Sequence, residues 1–212
     1  MLKHDQVIAI VGIAGLALVV QLLLKAGLPP SAAWLDYAEP AVAAVLLALW
    51  GFDRTLWHWP MFRALGGRIP DLRGTWKTTL RSSWVNPETN APGPPIEAYM
   101  VVRQTFSTLS LRLMTAESSS ELLSVQLLAS ADDTFRVAAI YRNEPKVEVR
   151  HRSQIHYGGL LLTVQGEPPS RLEGHYWTDR NTRGDILLET RDRQLFARFD
   201  QAKSALADRE SS

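Results

Sequence analysis

Tyr176, Trp177, Thr178, Arg180, Asn181, Thr182 and Arg183 crowd one strand end and the turn after it. Tyr141, Arg142 and Asn143 close an earlier strand in a similar way. Aromatic faces stack on nucleobases, and arginine forks grip phosphate oxygens. A small anionic nucleotide asks for both. The same residues have a plain structural use, because Tyr and Trp form strands well and Arg and Asn suit turns. On residue type and spacing alone, both uses stay open.

Other chemistry is thinly represented. His151 and His156 stand five apart with no carboxylate or third ligand at metal-like spacing, so no zinc site is read there. Asp132 and Asp133 fall in a turn segment, where Asp bonds its own backbone. No G-x-S-x-G, P-loop or G-x-G-x-x-G sequence is present. The chain contains no cysteine, which removes disulfides, thiolate nucleophiles and Cys-type metal sites. Its 23 basic and 22 acidic residues give a net charge of +1, without the basic excess that a nucleic-acid polymer would require. Catalysis would need polar residues converging from scattered strands, and the chain is read as a non-enzyme without cofactor or metal.

The elements that must position the aromatic and polar cluster are strands. From Ile155 to Thr190 the sequence alternates at period two: His156, Gly158, Leu160, Leu162 and Val164 share one side, then Leu172, Gly174, Tyr176 and Thr178 share another. Gly166–Ser170 and Asp179–Gly184 supply the turns, and Ile186 and Leu188 continue beyond. Upstream, Leu72, Gly74, Trp76, Thr78, Leu80 and Ser82 alternate likewise. Glu97–Phe106, Thr108–Ala116, Glu121–Ser130 and Thr134–Asn143 add four strands, with Ser118–Ser120 and Ala131–Asp133 read as separators. About eight short strands without intervening helices predict an antiparallel β-barrel or sandwich. A barrel of about eight strands is either filled by side chains or holds one small ligand. Asp192–Asp208 returns to a helical period, with Leu195, Phe199, Ala202 and Leu206 on one stripe. That helix could plug a barrel mouth, pack outside it or meet another copy.

Ahead of the barrel lies Val7–Leu24, eighteen residues with Gln21 the one polar member. At 1.5 Å per residue it nearly spans a hydrocarbon core of roughly 30 Å. A signal peptide is the alternative, but Lys25, Gly27, Pro29 and Pro30 follow where a cleavage site would be. A second apolar stretch, 34–52, carries Asp36 and Glu39 near its start, so it reads as the return limb of a hairpin or as a buried core helix. Trp34, Tyr37, Trp50, Trp57 and Trp59 resemble an aromatic belt. Lys3 and His4 before the first span, with Arg54, His58, Arg63, Arg68 and Arg73 after the second, place both termini in the cytoplasm. The expected organisation is a transmembrane hairpin over 1–52, a juxtamembrane linker over 53–71, a barrel over 72–191, and a C-terminal helix and tail over 192–212.

Several segments carry a family resemblance: LRGTW at Leu72–Trp76, then VVRQTF, YRNEP, HYGGLLL and LEGHYWTDRNTRG. Together with the two spans they make the chain similar to the two-transmembrane, β-strand-rich effectors of bacterial CBASS antiphage systems, the CD-NTase-associated protein 15 type. The resemblance implies a barrel that binds a cyclic di- or trinucleotide made by a CD-NTase. It further implies oligomerisation, disruption of the inner membrane and death of the infected cell. Carried over position by position, it points to Tyr141, Asn143, His156, Tyr176, Thr178, Arg180 and Thr182 as ligand-binding residues. Gly74, Gly158, Gly174 and Gly184 are read as bends or close approaches. The competing reading is an inner-membrane lipid or fatty-acid carrier, whose cavity Leu109–Leu113 and Leu160–Leu162 would line. A ligand-free membrane scaffold is the third.

Overall fold

The computed structural model describes residues 34–59, 69–86, 88–132 and 134–210, with scattered positions between 15 and 27. The chain forms two compact units: 1–68 with 105–107, and 69–104 with 108–212.

In the first unit, helix α1 covers Trp34–Arg54, with Pro40 tolerated near its start, and a short 3-10 turn follows at Leu56–His58. At the helix end the Asp53 carboxylate accepts from the Ser107 N–H at 2.8 Å and the Thr105 hydroxyl at 3.2 Å. Phe52 meets Phe106 edge to face at 5.1 Å. The expected first span, Val7–Leu24, falls mostly outside the described residues. The expected second span is a helix, but among the described residues no helix is long and apolar enough to cross a membrane. Asp36, Glu39 and Pro40 at its start lower its apolar content.

The second unit is a closed barrel of eight antiparallel strands in sequence order. They are β1 (Gly74–Ser82), β2 (Ile96–Gln104), β3 (Leu109–Thr115), β4 (Ser118–Ala129), β5 (Phe135–Pro145), β6 (His156–Gln165), β7 (Arg171–Thr178) and β8 (Arg183–Asp192). Alternation decides which side chains face in: Trp76 and Leu80, Met100 and Val102, Val137 and Ala139, Leu160 and Leu162, and Ile186 and Leu188 form one buried cluster. Trp76 is fully buried, and its indole N–H donates to the Leu72 carbonyl at 2.9 Å. Between Met100, Leu111, Leu113, Leu122, Ala139, Tyr141 and Leu160 the packing leaves a void of about 10 Å³, room for one water at most. The barrel is therefore of the filled kind. That central space is too small for an acyl chain beside Leu160, while a larger cleft bordered by Ser110, Leu111 and Arg112 opens at β3.

Two boundaries differ from expectation. Ser118–Ser120 is not a separator but the first part of β4. Serine favours turns through local hydrogen bonds, yet here the Ser120 hydroxyl is buried and serves the neighbouring strand. The C-terminal helix, α2, begins at Phe199 rather than Asp192, because β8 continues through Asp192 against β1. α2 lies outside the barrel, neither plugging a mouth nor left free: Phe196, Ala202 and Leu206 bury against Tyr99, Val101 and Met114. Leu195 of the expected stripe stays exposed.

Candidate functional site

One end of the barrel gathers the sequence-predicted residues. Tyr141 pairs with Gly158, and Gly158 with Thr178; Asn143 pairs with His156; Tyr176 pairs with Gly184. All five of Tyr141, Asn143, His156, Tyr176 and Thr178 share the parity of the buried residues on their strands (Val137 and Ala139, Leu160 and Leu162, Leu172), so they point inward at the mouth. Arg180 and Thr182 sit in the β7–β8 turn that forms the rim. Trp177 has the opposite parity and lies half-exposed on the outer wall, over Gly159. Arg142 also faces out, between Glu121 and Glu144 at 3.6 and 3.5 Å.

Glycine makes room for the two phenols. A Cβ at Gly158 would stand 2.5 Å from the Tyr141 ring, and one at Gly184 would stand 2.9 Å from Tyr176 Cε1. Each tyrosine thus lies flat on a glycine of the next strand instead of standing across the opening. Two half-buried aromatic faces form the inner wall beneath the rim. Gly174 is a close approach to the Leu161 carbonyl, and Gly74 combines a φ of 133° with the nearby Asp192 carbonyl.

The rim turn is pinned. Thr178 N–H donates to the Thr182 carbonyl at 2.9 Å, and the two hydroxyls share a hydrogen bond of 2.6 Å. Asn181 adopts a φ of 58°, which Asn tolerates better than most residues. Asp179 accepts from the Tyr157 N–H at 3.1 Å, and its own N–H donates to the Tyr157 carbonyl at 3.0 Å. The Arg180 guanidinium reaches Ser153 at 3.3 Å and has no carboxylate ion pair among the described residues, so its charge is available to an anion.

Electrostatics fit a neutral, hydrogen-bonding floor under a cationic rim. Burial pushes the Tyr141 phenol up to about 12, with Tyr176 and Asp179 adding and Arg180 opposing, so it stays a donor at neutral pH. Burial also lowers the His156 imidazole; the Gln154 carbonyl on Nδ1, at 2.9 Å, works against the shift, and Arg180 works with it. The other end of the barrel is a structural ion cluster. There burial would raise the Asp71 carboxyl, but hydrogen bonds from Arg73 and Arg193 outweigh it and hold the group well below the usual carboxylate range. No three potential metal-ligating side chains gather among the described residues.

A second concavity was not legible from residue spacing. A cleft of 830 Å³ lies where β3 and β4 part, walled by 144–150 and 197–200. These two strands share a single register pair, Met114 with Ser119. Next to it the Ser120 hydroxyl takes the Leu113 N–H at 2.9 Å, where a backbone carbonyl would normally serve. The nearest sequence signal was the triple serine itself, which read as a turn.

Residues 67–190, the barrel and its approach, match the family described as Cap15, cyclic dinucleotide receptor domain. The chain belongs to the Cap15 family. It is also 27% identical over 156 residues to the CD-NTase-associated protein 15 of Staphylococcus schleiferi, covering 74% of this chain and 80% of that protein. In this Cap15 domain the aromatic wall and Arg180 lie at the same end of the barrel.

Proposed function

We propose that this protein is a membrane-anchored CBASS effector whose barrel mouth binds a cyclic nucleotide made by a CD-NTase. One observation carries the reading: Tyr141, Tyr176, Asn143, His156 and Thr178 converge inward at a single barrel end beneath Arg180. Phenol faces stack on bases, Asn143 and Thr178 offer donors and acceptors to base edges, and Arg180 faces a phosphodiester. None of these contacts requires bond-making, so the chain acts as a receptor and not as an enzyme. The hairpin over 1–52 anchors it in the inner membrane, with both termini in the cytoplasm where the nucleotide is made. Ligand binding favours an assembled state of several copies, and the assembled spans disrupt the bilayer. A ligand shifts that equilibrium only by its differential affinity, and about 5.5 kcal/mol moves a population from 1:99 to 99:1.

The test uses the full chain in detergent with a panel of cyclic di- and trinucleotides. A ligand of the right kind raises the melting temperature and increases the sedimentation coefficient. Tyr176→Ala and Arg180→Ala each weaken both responses. A panel that moves neither quantity would remove the receptor reading.

A further inference from the structure

The mouth supplies aromatic faces with Arg180 and Arg183 at the β7–β8 turn, while a cyclic dinucleotide carries a negative charge on each phosphodiester. The cleft over the β3–β4 seam gathers further cations. Its lining holds Arg112, Lys146, Arg150 and Arg198 against Glu121, Glu144 and Asp200. The carboxylates are already matched: Glu144 by Arg150 at 2.9 Å, Asp200 by Arg198 at 3.5 Å, and Glu121 by Arg142 at 3.6 Å. Arg112 and Lys146 have no ion pair among the described residues. Arg112 is half-buried: one terminal nitrogen donates to the Phe196 and Ala197 carbonyls at 3.2 and 3.1 Å, and its Nε is buried with no partner at all. The unpartnered Nε keeps the guanidinium short of acceptors, and the accessible part of the same group lines the cleft, where a phosphate oxygen can meet it.

The cleft also adjoins the aromatic wall. Leu111, Ser120 and Leu122 line both the cleft and the small void beneath Tyr141. Ser120 pairs with Asn143, and Leu122 pairs with Tyr141, on the adjacent strand. The cleft and the proposed base-stacking face thus share lining residues on β3 and β4.

We propose that the seam cleft is a phosphate-binding subsite, with Arg112 and Lys146 as its anion ligands. It rests on the receptor reading for the identity of the ligand: phosphodiester charge is held at the seam while a base lies on the Tyr141 wall. Lys146 is exposed and its removal leaves the fold intact, whereas Arg112 also ties down the chain before α2.

The experiment titrates full-length protein in detergent with inorganic pyrophosphate by calorimetry, then repeats the titration with the cyclic dinucleotides of the panel. Lys146→Ala and Arg112→Gln are each expected to weaken pyrophosphate binding about tenfold, as the loss of one charge-assisted bond does. Lys203→Ala, whose ammonium pairs with Glu97 elsewhere, leaves it unchanged. Wild-type protein that takes up pyrophosphate no better than chloride overturns the subsite, as do variants that bind it like wild type. Should pyrophosphate binding follow the prediction while no cyclic nucleotide binds, the receptor reading falls and the anion site stands. Should a cyclic dinucleotide bind equally to wild type and both variants, the receptor stands and the subsite falls.

Discussion

The barrel has a firm wall and a loose one. Eight register pairs join β5 to β6 and eight join β6 to β7, while one joins β3 to β4. Tyr141 and Tyr176 sit on the firm side, their rings set by Gly158 and Gly184. The seam is held near its start by Met114–Ser119 and by the Ser120 hydroxyl. On β4 the inward Leu122, Val125 and Leu127 are only half-buried, and Leu123 is exposed at a register shift. The division suits a filled receptor. Stacking faces gain from being fixed in advance, whereas a barrel with a 10 Å³ void must yield somewhere to enlarge its mouth. The seam is the join that yields at least cost.

The largest expected effect contrasts the two walls by cavity formation. Leu162 is fully buried on β6, so Leu162→Ala should destabilise the barrel by about 2–5 kcal/mol. The same truncation at half-buried Leu127 on β4 should cost about 1 kcal/mol or less, since less apolar area is lost and neighbours can close in. Urea unfolding of the full chain in detergent measures both. Equal losses would mean that the seam side is packed as tightly as the rest.

Covalent locking tests the same contrast in binding. Because the chain has no cysteine, Met114→Cys with Ser119→Cys would form its only disulfide, directly across the seam. The oxidised protein is expected to bind the cyclic nucleotide at least about tenfold more weakly, with affinity restored by reductant. A matching lock between Ala138 and Leu161, paired on the firm wall, should leave affinity unchanged in both redox states. Identical behaviour of the two locks would show that the seam does not move on binding.

The sequence displayed the firm wall far better than the loose one, and the reason is physical. Alternation is visible wherever one strand face is buried, so the inward parity of His156, Gly158, Leu160 and Leu162 could be read directly. Tyr141 and Asn143 share one side, as do Tyr176 and Thr178, but that both sides face inward follows from the register. Register is not visible in one chain, so neither the Tyr141–Gly158 and Tyr176–Gly184 pairs nor the thin β3–β4 join could be foreseen. Ser118–Ser120 was misread because a serine that replaces a ladder bond has the same composition as a serine in a turn. Lys146 and Arg112 are each isolated in sequence, and only folding brings them to one cleft.

A smaller effect concerns protons at the mouth. Burial holds the folded His156 pKa below its unfolded value of about 6.5. The unfolded chain therefore binds the proton more readily. Stability is fully present above that value and is lost as pH falls through the lower, folded pKa. His156→Gln should flatten the slope of melting temperature between about pH 7 and pH 5. A bound phosphodiester favours the imidazolium, so ligand affinity in the wild type should rise over the same fall in pH. A slope that survives in His156→Gln would place its origin in another group.

The smallest effect discriminates most finely, because two consequences of one change should have opposite signs. Ser120→Ala deletes the hydroxyl that accepts the Leu113 N–H. A ladder donor loses its partner, which should cost about 1 kcal/mol of stability. If the seam parts when ligand binds, that bond is already broken in the complex, and its absence penalises only the free state. The binding equilibrium then shifts toward the complex by the same free energy, so affinity should rise about fivefold as stability falls. A variant that loses both stability and affinity would instead mean that Ser120 keeps its bond in the complex. The barrel would then bind its ligand with the seam shut, and both walls would be equally fixed.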